Sequence, residues 1–151
     1  MTLLITGASG TIGSRLAADL TAQAIPLRLL DRRHPDADPP EGAEFVQTDL
    51  RDQSAIEKAA AGCSAVIHLA GVTQEGPFAE MVEHNITGTH HVLEAARRQR
   101  VPRVVLASSH HVIGLPVVSR GLPAPSGGLG RLRRMVVSAR GHRGQPGPQR
   151  M

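Results

Sequence analysis

The sequence predicts a doubly wound parallel α/β fold, and three observations carry that prediction. Short apolar runs alternate with amphipathic stretches through residues 1–114. A glycine-rich turn, Gly7-Ala8-Ser9-Gly10-Thr11-Ile12-Gly13, joins the first apolar run to the first amphipathic stretch. An acid, Asp31, closes the second apolar run eighteen residues after Gly13. Right-handed crossovers then give a spatial strand order of 3-2-1-4-5.

Leu3-Leu4-Ile5 is the first strand. Ile12, Leu16 and Leu20, four residues apart, mark one face of the first helix. Leu27–Asp31 is the second strand, and residues 32–43, with three prolines and several charges, form a loop. Glu44-Phe45-Val46 is a short third strand. A helix over Asp52–Ala60 turns Ile56, Ala59 and Ala60 inward. Ala65–Leu69 is a buried fourth strand. A long helix runs from Phe78 to Arg98, with Met81, Val82, Asn85, Thr89, Val92, Leu93 and Ala96 as its inner stripe. Arg103–Ser108 is the fifth strand.

Two compositions are joined in the 151 residues. Residues 1–114 hold ten Lys plus Arg against thirteen Asp plus Glu, a balance of −3. Residues 115–151 hold seven Arg and no acid, with seven Gly and five Pro. That composition predicts a basic, disordered tail in which only Leu129–Val137 reads as a short helix. One cysteine, Cys63, excludes a disulfide within the chain and suits a reducing cytoplasm. Its place between a helix and a strand marks a small buried residue. No apolar run reaches the ~18 residues of a membrane span, and no secretory leader is seen. The +7 tail invites a nucleic-acid reading, but it has no aromatic side chain for stacking on bases.

The glycine-rich turn suits a dinucleotide. Glycine lets the backbone turn sharply and approach a pyrophosphate, and a helix N-terminus offers unpaired N–H groups and partial positive charge. Gly13 allows close packing of helix on strand. A carboxylate at Asp31 accepts hydrogen bonds from ribose hydroxyls and repels a 2′-phosphate, which favours NAD over NADP. The neighbouring Arg32 and Arg33 argue mildly for the phosphate.

With these residues the chain resembles the extended short-chain dehydrogenase/reductases, the NAD-dependent epimerase/dehydratase group. Thr6–Gly13 matches the group's T-G-x-x-G-x-x-G turn, and Thr48-Asp49-Leu50 its D-L pair after strand three. His68-Leu69-Ala70-Gly71 matches its H-L-A-A/G segment, and Asn85–Thr89 with Leu93–Ala96 its N-I/V-x-G-T helix. Ala107-Ser108-Ser109 with Val112-Ile113-Gly114 matches its strand-five end. Gly71–Phe78 and Ala107–Gly114 further resemble bacterial uronate dehydrogenases, which oxidise C1 of a hexuronic acid to a lactone and pass hydride to NAD.

The resemblance implies a Rossmann-type NAD-binding domain over residues 1–114, incomplete at its C-terminal side. It implies cofactor contacts at Gly7, Gly10, Thr11, Ile12, Gly13, Asp31, Arg32, Asp49, Leu50, Leu69, Ala70, Gly71 and Asn85, with the adenine ring held at Asp49-Leu50. Ser109 is the implied catalytic serine, and Thr73, His110 and His111 the implied contacts to a small sugar-acid substrate. His110 stands where those enzymes carry Asn. No metal ligand set is evident: His90 and His91 are adjacent and cannot share a helix face, and His34, His84 and His142 read as solvated.

One part of the group's machinery is missing. Its general base is a tyrosine with a lysine four residues on, in the helix after strand five. This sequence has no tyrosine, and its only lysine, Lys58, lies on an earlier helix. The group's later strands, substrate lobe and dimer helix are not found either, and residues 115–151 read like another reading frame. The reading is therefore the NAD-binding part of a sugar oxidoreductase that is inactive alone. A sugar-nucleotide epimerase or dehydratase fragment, and a catalytically silent NAD-binding protein, are the alternatives.

Overall fold

Leu4 and Ile5 are wholly buried on opposite faces of Thr2–Thr6, so this segment becomes the central strand β1 of the sheet. The structure, a computed structural model, describes residues 1–35 and 37–109. The remaining elements are α1 (Thr11–Thr21), β2 (Leu27–Asp31), β3 (Glu44–Gln47), α2 (Gln53–Ala60), β4 (Cys63–His68), α3 (Phe78–Met81), α4 (Gly88–Arg98) and β5 (Val104–Leu106). A π-helical stretch, Val82–Thr87, joins α3 to α4. The five strands are all parallel in the order β3-β2-β1-β4-β5, as the alternation of strands and helices predicted.

Register brings the strand ends together. Thr6 stands beside Leu30 on one side and His68 on the other, and His68 stands beside Leu106. One face of the sheet, with Leu4, Leu30 and Val66, packs on Ile56 of α2 and on Val92, Ala95 and Ala96 of α4. The other face, with Ile5, Leu27 and Leu29, packs on Ala17 of α1. Asp52 caps α2 by accepting the Ala55 N–H at 2.9 Å. Arg28 donates to the Glu44 carboxylate at 2.7 Å and to the Ala59 and Ala61 carbonyls at 2.7 and 3.0 Å. It thereby ties the β2–β3 edge to the C-terminal end of α2. Cys63 is buried beside it, and burial pushes its thiol above the ordinary range.

Several expectations need correction. Strand β4 starts at Cys63, two residues early, while β5 is confined to three residues of the expected six. Ile12 does not share the buried face of α1: it is 69 % exposed, and Gly13 and Ala17 make that face with Leu16 and Leu20 beside them. Leu93 is also exposed, and the buried stripe of the long helix is His84, Gly88, Val92, Ala95 and Ala96. The π-helical stretch closes its hydrogen bonds over five residues. It therefore resets the phase of the stripe, leaving Asn85 and Thr89 half-buried at its margin. His84 is consequently buried, against the expectation of a solvated side chain. The predictions at His110, His111, Val112-Ile113-Gly114, Leu129–Val137 and His142 lie outside the described residues. Among the described residues no helix is long and apolar enough to cross a membrane.

Candidate functional site

Beyond the carboxyl ends of β1, β2 and β4 lies a cleft of about 540 Å³. This is where open parallel sheets present ligand sites, at the reversal of strand order. The glycine-rich turn forms its floor. Gly7 has φ +73°, and a Cβ there would sit 2.6 Å from the Ala70 nitrogen. A Cβ on Gly13 would sit 2.1 Å from the Gly7 carbonyl oxygen, so this glycine lets α1 pack against the turn itself. Gly10 caps α1 without a side-chain hydrogen bond, and the first turn carries no acid. The first-turn N–H groups and the positive end of the helix dipole therefore face the cleft without a capping side chain.

Asp31 lines the cleft at the end of β2, with Arg32 and Arg33 beside it. Its carboxylate already serves the protein. One oxygen accepts the Ser9 N–H at 3.0 Å and the other the Arg33 N–H at 3.0 Å. Each oxygen has a second lone pair to offer. The Ser9 hydroxyl donates to the Arg33 carbonyl at 2.8 Å, so glycine turn and arginine loop are tied twice.

Thr48, Asp49 and Leu50 line the cleft past the end of β3. The long helix presses against this corner. Gly88 meets Leu50, whose Cβ would lie 2.8 Å from a Cβ at that position, and the His91 ring bonds the Leu50 carbonyl at 2.8 Å. Asp49 accepts from the Arg51 N–H at 2.9 Å and its guanidinium at 3.0 Å. Burial pulls the Asp49 carboxyl upward, but the Arg51 bonds and the nearby His84 outweigh it and hold the group below its ordinary value.

The wall after β4 is held by a directional chain of hydrogen bonds. The Thr89 hydroxyl donates to the Asn85 carbonyl at 2.8 Å, so it accepts from His68 Nε2 at 3.1 Å. His68 Nδ1 then accepts from the Thr6 hydroxyl at 2.6 Å, and Thr6 accepts the Ala70 N–H at 3.3 Å. The imidazole is thus neutral and wholly buried, and desolvation lowers its pKa to about 4. Asn85 does not line the cleft. Its amide accepts from the Val72 N–H at 2.7 Å and donates to the Val72 carbonyl at 2.9 Å. It fixes the Gly71–Val72 wall from behind, and Gly71 gives it room, since a Cβ there would stand 3.1 Å from the Asn85 oxygen.

The structure thus gathers Gly7, Gly10, Thr11, Ile12, Gly13, Asp31, Arg32, Asp49, Leu50, Leu69, Ala70, Gly71 and Thr73 around one cleft. Ser109 lies three residues beyond β5 and is exposed. Ala107, two residues before it, lines the cleft. Lys58 is exposed on α2 and does not line it. Among the described residues no group of three or more His, Cys, Asp or Glu is placed to hold a metal.

The profile of the NAD dependent epimerase/dehydratase family matches residues 3–123, nine residues past the boundary expected at 114. The chain belongs to that family. Among its relatives, uronate dehydrogenase from Agrobacterium fabrum is 42 % identical over 112 residues, 74 % of this chain and 42 % of that protein. Uronate dehydrogenase from Pseudomonas putida is 43 % identical over 114 residues, with 74 % and 42 % covered. A solved mutant of uronate dehydrogenase from Agrobacterium tumefaciens, complexed with NAD, superposes with a TM-score of 0.65 at 40 % identity, covering 73 % of this chain and 41 % of that one. The chain spans about two fifths of the length of these curated relatives. Sequence reasoning missed Ser9, Val72, Gln74 and His84 on the cleft wall, while Arg33, read beside Arg32 for a 2′-phosphate, lines it as well. Ser9 was legible inside the turn.

Proposed function

We propose that this chain is the NAD-binding part of an NAD-dependent sugar oxidoreductase, most like a uronate dehydrogenase, and that it binds NAD without turning over a uronate. The observation that carries the reading is the glycine-floored cleft at the uncapped N-terminus of α1, with a carboxylate at the end of β2. The donor set fits a dinucleotide. First-turn N–H groups offer bonds to a pyrophosphate, and Gly7 and Gly13 occupy places that a Cβ would fill with clashes. The spare lone pairs of Asp31 accept ribose hydroxyls, and Asp49 with Leu50 receives the base. The family resemblance and the NAD complexes of related proteins support the same occupant.

NAD, when bound, supplies the acceptor for a hydride. The protein supplies position. The Asn85–Val72 clamp and the His68 chain hold the Gly71–Val72 wall, and Thr73 next to it is a residue we assign to the sugar acid. Ser109 is the group we assign to the substrate oxygen, with His110 and His111 as further sugar-acid contacts. A positioned base adds roughly 10²–10⁴-fold to such a proton transfer. No tyrosine is present to serve as that base, and Lys58 lies on another element.

The experiment is thermal unfolding with and without NAD, run beside an assay of NADH formation from galacturonate and glucuronate. NAD should raise the unfolding temperature through binding linkage, and neither sugar acid should yield NADH at a rate near that of a complete enzyme. No shift with NAD would sink the binding assignment. Robust turnover that disappears in Ser109→Ala would show that another group has taken the base's role.

A further inference from the structure

His84 was not needed to build the dinucleotide cleft, yet it is buried at one end of it. Its Nδ1 faces the Glu80 carbonyl at 3.1 Å, an acceptor that requires a proton on that nitrogen. Its Nε2 is buried with no hydrogen-bond partner and points at Asp49 Oδ2, 3.6 Å away. Both ring nitrogens therefore face acceptors. A neutral ring with its proton on Nδ1 sets a bare lone pair against a carboxylate oxygen. Only the imidazolium gives each nitrogen a proton to donate.

We propose that His84 is a positioning residue for the nucleoside end of the cleft, where its buried ring orients the Asp49 carboxylate toward a bound dinucleotide. The proposal rests on the NAD reading of the cleft. Arg51 secures one side of Asp49 by its bonds to Oδ1, but Arg51 is itself exposed and shared with Glu83, 3.9 Å away. Among the described residues the second oxygen is held by a long 3.4 Å contact to Arg51 Nη2 and by the buried ring of His84. A carboxylate oxygen has two lone-pair sites, so one can face His84 while the other faces a ligand donor. Without the ring, Oδ2 keeps the long contact to Arg51 Nη2, and the carboxylate can turn from the wall into ligand space. The charged and titratable groups around His84 are Asp49 and Arg51 from the loop after β3, with Glu80 and Glu83 on its own helix.

The test is calorimetric titration of the full chain with NAD for wild type, His84→Gln, Asp49→Asn and the double variant, with thermal unfolding of each run beside it. His84→Gln should weaken NAD binding about fivefold, the scale of one charge-assisted bond at a partly exposed carboxylate, while still melting cooperatively. In the Asp49→Asn background the same change should have no further effect, because no carboxylate remains to be held. Unchanged affinity in His84→Gln, or an equal loss with and without the Asp49 carboxylate, overturns the proposal while leaving the cleft assignment intact. Absence of NAD binding by wild type overturns both.

Discussion

The two flanks of the β1–β4 seam differ in kind. On the β2 side, function is built from backbone: a glycine turn that admits no side chain, an uncapped helix end, and a carboxylate already hydrogen-bonded to that turn. On the β5 side it would have to come from side chains. There the strand is three residues long, Val105 and Leu106 are 43 % and 44 % exposed, and Ser109 follows with no tyrosine in the chain to join it. The difference bears on the proposed function, in which holding a dinucleotide and using it are separable. In the function proposed above, the first draws on the turn, the β2 carboxylate and the wall after β4, and the second on side chains past β5.

The largest expected effect lies on the first flank. Gly13→Ala puts a methyl group 2.1 Å from the Gly7 carbonyl, against backbone that cannot yield without reshaping the turn. NAD affinity should fall by more than about 100-fold and stability by about 1–3 kcal/mol, the range for overpacking. Gly10→Ala, whose Cβ would meet the same oxygen at 3.2 Å, should be much milder. Calorimetry with NAD and chemical unfolding of both variants give the ranking, and equal effects would show that the turn is softer than described.

Next is the seam itself. His68 is neutral in the fold because burial lowers its pKa from 6.5 to about 4. The unfolded chain therefore takes up its proton first. The stability His68 confers is full above about pH 6.5 and is lost as pH falls toward about 4, some 3 kcal/mol in all. Glu94, held down to about 2 mainly by its bond from Arg97 and then by Arg98, adds its own loss only at lower pH. Denaturant unfolding between about pH 7 and pH 4 should show the slope, and His68→Gln should flatten it. An unchanged slope in that variant would place the acid sensitivity elsewhere.

The smallest effect on binding belongs to the second flank. An apolar edge strand templates pairing with other chains, and an edge lysine discourages it. Val105→Lys should lower light scattering of a heated sample while leaving NAD affinity within about twofold, since Val105 does not line the cleft. Undiminished aggregation would mean that some other surface is responsible.

Strand order and cleft floor were legible because both rest on local rules: apolar runs, a glycine turn between strand and helix, and an acid at the next strand end. The long helix was less so. Its inner stripe was placed on Met81, Val82, Asn85, Thr89, Val92, Leu93 and Ala96; Val92 and Ala96 are buried as expected, but at the π-helical stretch the buried positions are His84 and Gly88. A widened turn leaves no mark in an apolar periodicity count, which assumes one angle per residue. The same phase error made His84 read as solvated and hid its approach to Asp49. Asn85 was found as a residue of the cofactor region, but its amide is spent on Val72, a role that depends on a loop thirteen residues away.

The central claim is that Asp31, set against the glycine turn on the β2 flank, makes the cleft an NAD site. Its most direct test is calorimetric titration of the chain with NAD and with NADP, for wild type and Asp31→Asn. The account predicts tighter binding of NAD than of NADP, because the Asp31 carboxylate repels a 2′-phosphate. Asp31→Asn should narrow that difference, since it keeps an acceptor for the ribose and removes the charge. Equal wild-type affinity for the two, with Arg32 or Arg33 offsetting the carboxylate, would contradict the account.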